Sequence, residues 1–291
     1  MIRHVIITAD DFGLDVAINE AVERGFTEGV LTAASLMVGQ GAVRDAVERA
    51  HRMPGLRVGL HVALTGGVRP VLSPHEVPDL VDRSGHLPEN LPAFGWRLGA
   101  SARVRSQAER EIRAQFQTFA NTGLKLDHAN THQHYHMHPF VLDRIVDIGS
   151  RFGLRAVRVP FEPLSLARAV ACSAPRARRL PAIGWALATG RMRRRLRRAG
   201  LAFNDAMFGL RCSGGVSEAA LCEALEHLPP GVSEVYLHPA TRSGAAEQAA
   251  GVSAQATREF EALISPRVRE RLQGLRVSLG GFADIPHGGP A

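Results

Sequence analysis

HVIITADDFG, residues 4–13, places two adjacent aspartates directly behind an apolar, β-branched run. A short apolar run that ends in polar residues and a glycine is typical of a buried strand. The residues that follow space their apolar side chains at helical intervals, at Ile18, Ala21, Val22 and Phe26. The start of the chain therefore predicts a strand and then a helix, with two like charges where the strand ends.

This strand–helix alternation recurs about seven times along the 291 residues. It predicts an α/β protein with a parallel sheet and helical crossovers. We expect one domain over the whole of 1–291, folded as a TIM-like (β/α) barrel of seven or eight parallel strands. An open nucleotide-binding sheet is less well supported, because no G-x-G-x-x-G motif follows the first strand. The predicted strands cover residues 4–10, 32–38, 56–65, 124–128, 155–160, 233–239 and 275–281.

The composition is that of a globular domain, with 45% hydrophobic and 22% charged residues. No stretch approaches the roughly 18 apolar residues that a membrane-spanning helix needs, and the first residues do not resemble a secretory signal peptide. We therefore expect a cytoplasmic protein. The proline-rich residues 66–100 predict a loop, and residues 103–122 predict a helix.

Polar residues follow several of the predicted strands directly. Asp10 and Asp11 end the first strand, His61 lies late in the third, and His238 ends the strand at 233–239. The carboxyl ends of parallel barrel strands open onto one face, where the active sites of such barrels form. The sequence therefore predicts a single site assembled from segments that are far apart in the chain.

A group of five histidines lies within eleven residues at the end of the 124–128 strand. In an extended chain alternate side chains point the same way, so the last four are expected to line one wall of a pocket. One or two of them would bind a metal, and the others would contact substrate or orient the ligands. A cluster that merely precedes a helix is the alternative interpretation. The histidines are His128, His132, His134, His136 and His138.

The aspartate pair suits a metal site for an electrostatic reason. A divalent cation stabilises the carboxylate that binds it, and the neighbouring carboxylate can then stay ionised as a general base. A helix cap plus a solvated charge is the alternative when the pair is considered alone. Together with the histidines, the pair predicts one metal ligand and one base.

Four stretches, TADDFG, GLHVALT, LDHANTHQHYHMHP and EVYLHPA, resemble the YdjC-like carbohydrate deacetylases in order and spacing. The resemblance covers nearly the whole chain. The phrases VAINEAVERG, LTAASLMVG, VPDLVD and AVRVPFEPL are most similar to the hopanoid-biosynthesis-associated members, which remove the acetyl group from an N-acetylglucosaminyl hopanoid lipid. The resemblance implies a distorted (β/α) barrel that binds one divalent metal and removes an N-acetyl group from a sugar.

The resemblance also implies roles for individual residues. Asp11, His61 and His132 are the implied metal ligands. Asp10 is the implied general base, and His238 is the implied general acid.

Four further residues are expected to contact the substrate: His134, His136, Arg158 and Glu162. Arg158 and Glu162 match positions near the substrate in the family. Many family members have aspartate where this chain has Asn130. The environment of His132 is therefore expected to differ from that in those relatives.

Amide hydrolysis needs an activated water, a polarised carbonyl and a proton for the leaving amine. Zinc can lower the pKa of a bound water to about 7 and polarise the acetyl oxygen. Two histidines and one carboxylate favour Zn²⁺, with Mg²⁺, which prefers oxygen ligands, as the alternative.

The net charge of +7 is concentrated in one segment, residues 164–203, which carries ten arginines and no acidic residue. Without those ten charges the net charge would be −3. Arginines alternate there with apolar residues, and a basic amphipathic segment suits an anionic membrane surface. We expect this insert to contact the inner face of the cell membrane, where a glycolipid head group lies. A solvated helical face is the alternative, and nucleic-acid binding is not expected because no recognition motif accompanies the charge.

Other functions fit parts of the pattern. One is deacetylation of soluble chito-oligosaccharides. A metal phosphoesterase or isomerase on a similar barrel is another, although such enzymes usually need more carboxylates. A non-catalytic glycan-binding membrane protein would hold no metal and release no acetate. The sequence leaves open whether the chain forms a homodimer.

Overall fold

Residues 3–170, 182–242 and 255–285 are described by a computed structural model of the chain. Within them one sheet contains seven parallel strands. The strand order is β4-β3-β2-β1-β6-β5, and β7 pairs with the first residues of β1. The strands are β1 (Arg3–Phe12), β2 (Ala33–Leu36), β3 (Arg57–Val62), β4 (Ala129–Thr131), β5 (Ala206–Phe208), β6 (Gly231–Leu237) and β7 (Val277–Leu279).

The sheet curls into a distorted barrel whose closure between β4 and β5 is irregular. Two isolated parallel bridges, Ala129–Val157 and Ala156–Ala202, extend the pairing beyond β4. The backbone N–H of Met207 in β5 then donates to the carbonyl of Phe161. The predicted α/β barrel of parallel strands is therefore confirmed, and the predicted strand at 155–160 is reduced to these single bridges.

Helices connect the strands. Asp15 caps the first helix by accepting a hydrogen bond from the backbone N–H of Ala17. The helices are α1 (Val16–Thr27), α2 (Val43–Arg52), α3 (Leu91–Ala100), α4 (Ala102–Asn121), α5 (Pro139–Gly149), α6 (Leu164–Ala169), α7 (Ala182–Arg198), α8 (Glu218–His227), α9 (Ala256–Ile264) and α10 (Pro266–Gly274).

Strand β1 is the central element, and nine of its ten residues are buried. Its register with β2 runs from Thr8 opposite Ala33 to Ala9 opposite Ala34, and then shifts before Phe12. This irregularity falls on the two aspartates, and a β-bulge re-aims the side chains of the residues that form it. The bulge explains how two adjacent residues can both serve one site.

The prediction of a loop throughout 66–100 is wrong, because the last ten of those residues form helix α3. The side chain of Asn90 accepts a hydrogen bond from the backbone N–H of Ala93, and Pro92 lies in the first turn. Both are ordinary signals of a helix start. Phe94 of this helix stacks on Tyr135, which follows β4.

The histidine segment also departs from its predicted conformation. β4 begins at Ala129, after the predicted strand ends, and His132–Met137 form a 3₁₀ turn. Gln133 and His134 have φ angles of 57° and 56°, in the left-handed region. Alternate side chains therefore do not point the same way, and the prediction that the last four histidines share one extended wall is wrong.

The described part of the arginine-rich insert includes α6 and α7. Helix α7 packs Met192 and Leu196 into the core, and Arg195 bridges Asp143 and Asp147 of α5. Residues 171–181 of the insert lie outside the described residues. None of the helices in the described ranges is long and apolar enough to span a membrane.

Candidate metal centre and active site

Asp11, His61 and His132 converge at the carboxyl ends of β1, β3 and β4. The Oδ1 atom of Asp11 lies 3.3 Å from Nε2 of His61 and 3.0 Å from Nδ1 of His132. The potential ligand atoms of the three residues all lie within 4.8 Å of one another. All three side chains are buried, so the protein collects two imidazoles and a carboxylate away from bulk water.

These residues fit a divalent cation. The other oxygen of Asp11, Oδ2, is buried and has no hydrogen-bond partner among the described residues. A buried carboxylate oxygen without a partner is costly unless a cation or a donor satisfies it. Burial alone would raise the pKa of Asp11, but His132 and His61 hold it well below its usual range. An ionised carboxylate beside two imidazoles is a donor set that suits zinc.

The backbone at Asp11 is strained. Its φ of 64° lies in the left-handed region, which aspartate tolerates better than most residues. Its carbonyl accepts a hydrogen bond from Leu14, and the following Gly13 N–H donates to the side chain of Asn19. Strain of this kind concentrates at functional sites.

Asp10 is bound by a buried arginine. Nη1 and Nη2 of Arg158 donate to its two oxygens at 2.6 and 2.9 Å. The same guanidinium donates to both oxygens of Glu234, which also accepts from the Thr8 hydroxyl at 2.8 Å. Burial raises the pKa of Asp10, but the Arg158 charge and then His61 lower it far below its usual range. Asp10 is therefore a fixed carboxylate beside the triad.

Arg158 itself has no exposed surface. The structure assigns its donors to the two carboxylates, so its visible role is to position Asp10. Contact between Arg158 and substrate stays a prediction.

His238 lies just beyond β6 and is partly exposed. Its backbone N–H donates to the buried carboxylate of Glu259 at 2.6 Å, and its ring packs edge-on against Tyr236. Its electrostatic interaction with Asp10 and Asp11 lowers the pKa of both, as a minor cause in each case. The structure thus brings the predicted acid to the same end of the barrel as the predicted base.

His134 and His136, the two histidines predicted to contact substrate, are both buried. His136 pairs through Nδ1 with the Thr131 hydroxyl at 2.6 Å and through Nε2 with the carbonyl of Arg158 at 3.0 Å. Burial lowers its pKa to about 3. His134 contacts the Tyr236 hydroxyl at 3.2 Å, and burial also lowers its pKa well below the usual value. Both are neutral imidazoles, and their contact with substrate stays a prediction.

The side chain of Glu162 holds the backbone of the loop at residues 209–211. Its carboxylate accepts hydrogen bonds from the backbone N–H groups of Gly209 and Arg211. It also lines a cavity of about 270 Å³ together with Phe161, Leu164, Trp185 and Leu210. The structure therefore gives Glu162 a structural role next to a cavity, and substrate binding stays a prediction.

Three residues of the site, Thr8, Glu234 and Tyr236, were not identified from the sequence. Glu234 and Tyr236 alternate with His238 along and just beyond β6, and Thr8 alternates with Asp10 along β1. Side chains two residues apart on a strand share a face, so this spacing was the available signal. Asn130, expected to affect His132, instead lies against His61, with its side chain 2.6 Å from Nδ1.

The YdjC-like protein family matches residues 4–274. The chain belongs to the YdjC-like family. Among its relatives, a carbohydrate deacetylase of Geobacillus stearothermophilus is 36% identical over 58% of this chain and 62% of its own length. A carbohydrate deacetylase of Mus musculus is 30% identical over 97% of this chain and 94% of its own.

For several bacterial carbohydrate deacetylases, the matched stretch covers only about three fifths of the relative's own length. The solved structure of a candidate cellobiose-phosphate cleavage protein from Enterococcus faecalis V583 has the same fold, with a TM-score of 0.78 and 22% sequence identity. It covers 97% of this chain and 98% of that protein.

Proposed function

We propose that this YdjC-like protein is a metal-dependent hydrolase that removes the N-acetyl group from an N-acetylglucosaminyl substrate. The observation that carries the proposal is the convergence of Asp11, His61 and His132 beside the ionised Asp10. The relatives named carbohydrate deacetylases support it. The two-histidine, one-carboxylate donor set favours Zn²⁺ over Mg²⁺.

The residues of the site divide the work of amide hydrolysis. A divalent cation held by the three ligands would polarise the acetyl carbonyl and lower the pKa of the attacking water. Oδ2 of Asp10 accepts a single hydrogen bond, from Arg158 Nη1, and keeps a second lone pair, so Asp10 can accept the proton of that water. Its low pKa makes it a weak base that releases the proton readily. His238 supplies a proton to the departing amine.

We propose a hopanoid glycolipid as the substrate, and two surface features support an apolar aglycone. The 270 Å³ cavity is largely apolar, and its Trp185 packs against the cluster that contains Tyr236, next to the site. Leu164 and Leu187 on the insert helices are about half exposed, at 47% and 56%. Exposed arginines of α7 lie on the same insert. This combination suits a protein that works at an anionic membrane surface of the cytoplasm.

The test is acetate release by zinc-loaded protein from three substrates presented in parallel. They are an N-acetylglucosaminyl hopanoid in vesicles, N-acetylglucosamine on a short soluble alcohol, and the fully N-acetylated form of chitotriose. Loss of one acetyl unit, followed by mass spectrometry, is expected to be fastest for the hopanoid. Equal or faster reaction with chitotriose would favour the soluble oligosaccharide alternative. If none of the three releases acetate above the Asp11→Asn control, the deacetylase proposal is wrong.

A further inference from the structure

Asn19 is a completely buried asparagine in the first turn of α1, close to the backbone turn that carries Asp11. Its Oδ1 atom accepts a hydrogen bond at 2.8 Å from the backbone N–H of Gly13. Its Nδ2 atom donates to the carbonyl of Ala42 at 2.9 Å and to the Asp45 carboxylate at 2.8 Å. One side chain therefore joins the turn that follows β1 to the segment that follows β2.

The neighbours of the Asn19 amide fix its orientation. A backbone N–H can only donate a hydrogen bond, whereas a backbone carbonyl and an ionised carboxylate can only accept one. The amide oxygen must therefore face Gly13, and the amide nitrogen must face Ala42 and Asp45. The Nε atom of Arg49 donates to the same Asp45 oxygen at 2.9 Å, which anchors that carboxylate. Turning the amide by half a revolution would break all three hydrogen bonds of Asn19.

Main-chain contacts hold the same turn from its other side. The N–H of Ala42 donates to the carbonyl of Gly13 at 3.2 Å, and the N–H of Met37 donates to the carbonyl of Phe12 at 2.7 Å. Gly13 has a φ of 92°, and a Cβ atom there would lie 3.0 Å from the carbonyl oxygen of Met37. The backbone directly after Asp11 is therefore packed tightly and fixed by hydrogen bonds on both sides.

Asp11 needs this support because its φ of 64° lies in the left-handed region, which costs free energy for a residue with a Cβ atom. In this conformation its Oδ1 atom lies 3.3 Å from His61 and 3.0 Å from His132. Without a clamp on the turn, a fraction of the metal-free molecules would relax to an ordinary backbone conformation. The carboxylate would then leave the two imidazoles, and a cation would have to restore the strained conformation each time it bound.

We propose that Asn19 is a positioning residue that preorganises the Asp11 turn, so that the metal-free protein already holds this carboxylate in place for a divalent cation. The apparent affinity of a site is its intrinsic affinity reduced by the fraction of molecules in the binding conformation. Asn19 keeps that fraction high because it fixes Gly13 when the chain folds, so the strain at Asp11 does not oppose cation binding. The inference rests on the metal site of the proposed function.

The test titrates Zn²⁺ into the full, metal-free chain against a chromophoric chelator, at a temperature at which circular dichroism shows each variant to be folded. Asn19→Leu keeps the approximate size of the side chain and removes its three hydrogen bonds, so zinc is expected to bind about 10-fold more weakly. Asn204→Leu is the matched control, because Asn204 is also completely buried and makes three hydrogen bonds, to Val159 and Ala206. The control is expected to lose similar stability toward urea and to keep the zinc affinity of the wild type. Asp45→Ala removes one partner of Asn19 and is expected to weaken zinc binding less than Asn19→Leu does.

The loaded site separates preorganisation from a change in the ligands themselves. With Co²⁺ as a spectroscopic probe, the visible absorption of the bound ion reports the geometry of its ligands. Loaded Asn19→Leu is expected to give the wild-type spectrum, because the cation selects the same arrangement. A changed spectrum, wild-type zinc affinity in Asn19→Leu, or equal weakening in Asn204→Leu would each overturn the inference about Asn19. If Asn19→Leu does not fold, Asp45→Ala decides, and unchanged zinc affinity in that variant overturns the inference. Failure of the wild type to bind zinc would instead overturn the proposed function.

Discussion

Several arginines of this protein bind two carboxylates each, and two of them, one inside the barrel and one on the insert helix, lie in opposite environments. Arg158 is fully buried between Asp10 and Glu234. Arg195 of α7 binds Asp143 and Asp147 with about 30% of its side chain exposed. In the interior, charges interact through a low dielectric, and water cannot take the place of a partner that is removed. At the surface, water and salt screen the same pairing. Similar contacts therefore hold the Asp10 carboxylate in one region and dock a helix in the other.

The largest effect is expected from the proposed metal ligands in the interior. Asp11→Asn removes the only carboxylate of the triad, so zinc affinity is expected to fall by more than about 100-fold, beyond the losses seen for residues that merely orient a ligand. Acetate release should fall to background. Zinc content by elemental analysis checks this, with Asp143→Asn on α5 as a surface control that keeps its zinc. Retention of one tightly bound zinc by Asp11→Asn would contradict the assignment.

Asp10→Asn tests the proposed base while leaving the three proposed metal ligands in place. An amide keeps one acceptor for Arg158 but cannot take a proton, so kcat is expected to fall by about 10²- to 10⁴-fold. Zinc affinity should stay within a few-fold of the wild type. Steady-state kinetics on zinc-loaded protein decide the matter. Turnover near the wild-type rate would remove Asp10 from the role of base.

Arg158→Met and Arg195→Met test the comparison most directly. The buried substitution leaves Asp10 and Glu234 without their cation, so the free energy of unfolding is expected to fall by about 3–5 kcal/mol. The surface substitution is expected to cost about 0.2–1 kcal/mol. Urea unfolding of the metal-free proteins gives both values. Equal losses would mean that burial of the pair does not matter.

The buried His136 predicts a pH dependence. Its pKa is lowered to about 3 in the folded protein, whereas an unfolded histidine titrates near 6.5. The unfolded state therefore binds the extra proton first, and stability is lost as pH falls from about 6.5 toward 3. This one group contributes a slope of about 1.4 kcal/mol per pH unit within that window. Urea unfolding at pH 6.5, 5.5 and 4.5 should show a shallower slope for His136→Asn than for the wild type.

The smallest effect on folding is expected from the exposed arginines of α7. Replacing Arg191, Arg194 and Arg198 with glutamine should change the free energy of unfolding by less than about 0.5 kcal/mol each. If the insert contacts membranes, each loses about 1 kcal/mol of attraction to anionic lipid. Binding to phosphatidylserine vesicles in a flotation assay should then weaken about 100-fold. Equal flotation of both proteins would overturn the membrane proposal and leave the deacetylase proposal intact.

Much of the site could be predicted because parallel strands place their carboxyl ends on one face. That rule, with the family resemblance, selected Asp11, His61 and His132, which the structure brings together. The bulge at Asp10 and Asp11 and the left-handed turn at Gln133 could not be predicted, because both depend on tertiary contacts that override local preference. For the same reason the sequence did not reveal that Arg158 pairs with Asp10 and Glu234 from distant segments.

The prediction of a loop in place of helix α3 failed for a different reason. Its Asn90 cap and Pro92 were visible in the sequence, but the prolines earlier in 66–100 concealed them. Its packing on Tyr135 places it beside the histidine turn. In helix α3 the local signals were present, but the proline-rich composition of residues 66–100 outweighed them. The ion pairs of Arg158 in the interior, by contrast, left no local signal in the sequence.

The central claim is that Asp11, His61 and His132 hold one divalent cation beside Asp10. The most direct measurement is a crystal structure of zinc-loaded protein, with anomalous scattering recorded at the zinc edge. The account predicts one peak per chain at about 2.0–2.2 Å from the Asp11 carboxylate and from one ring nitrogen of each histidine. A protein that takes up zinc but shows no peak at these three residues would contradict it.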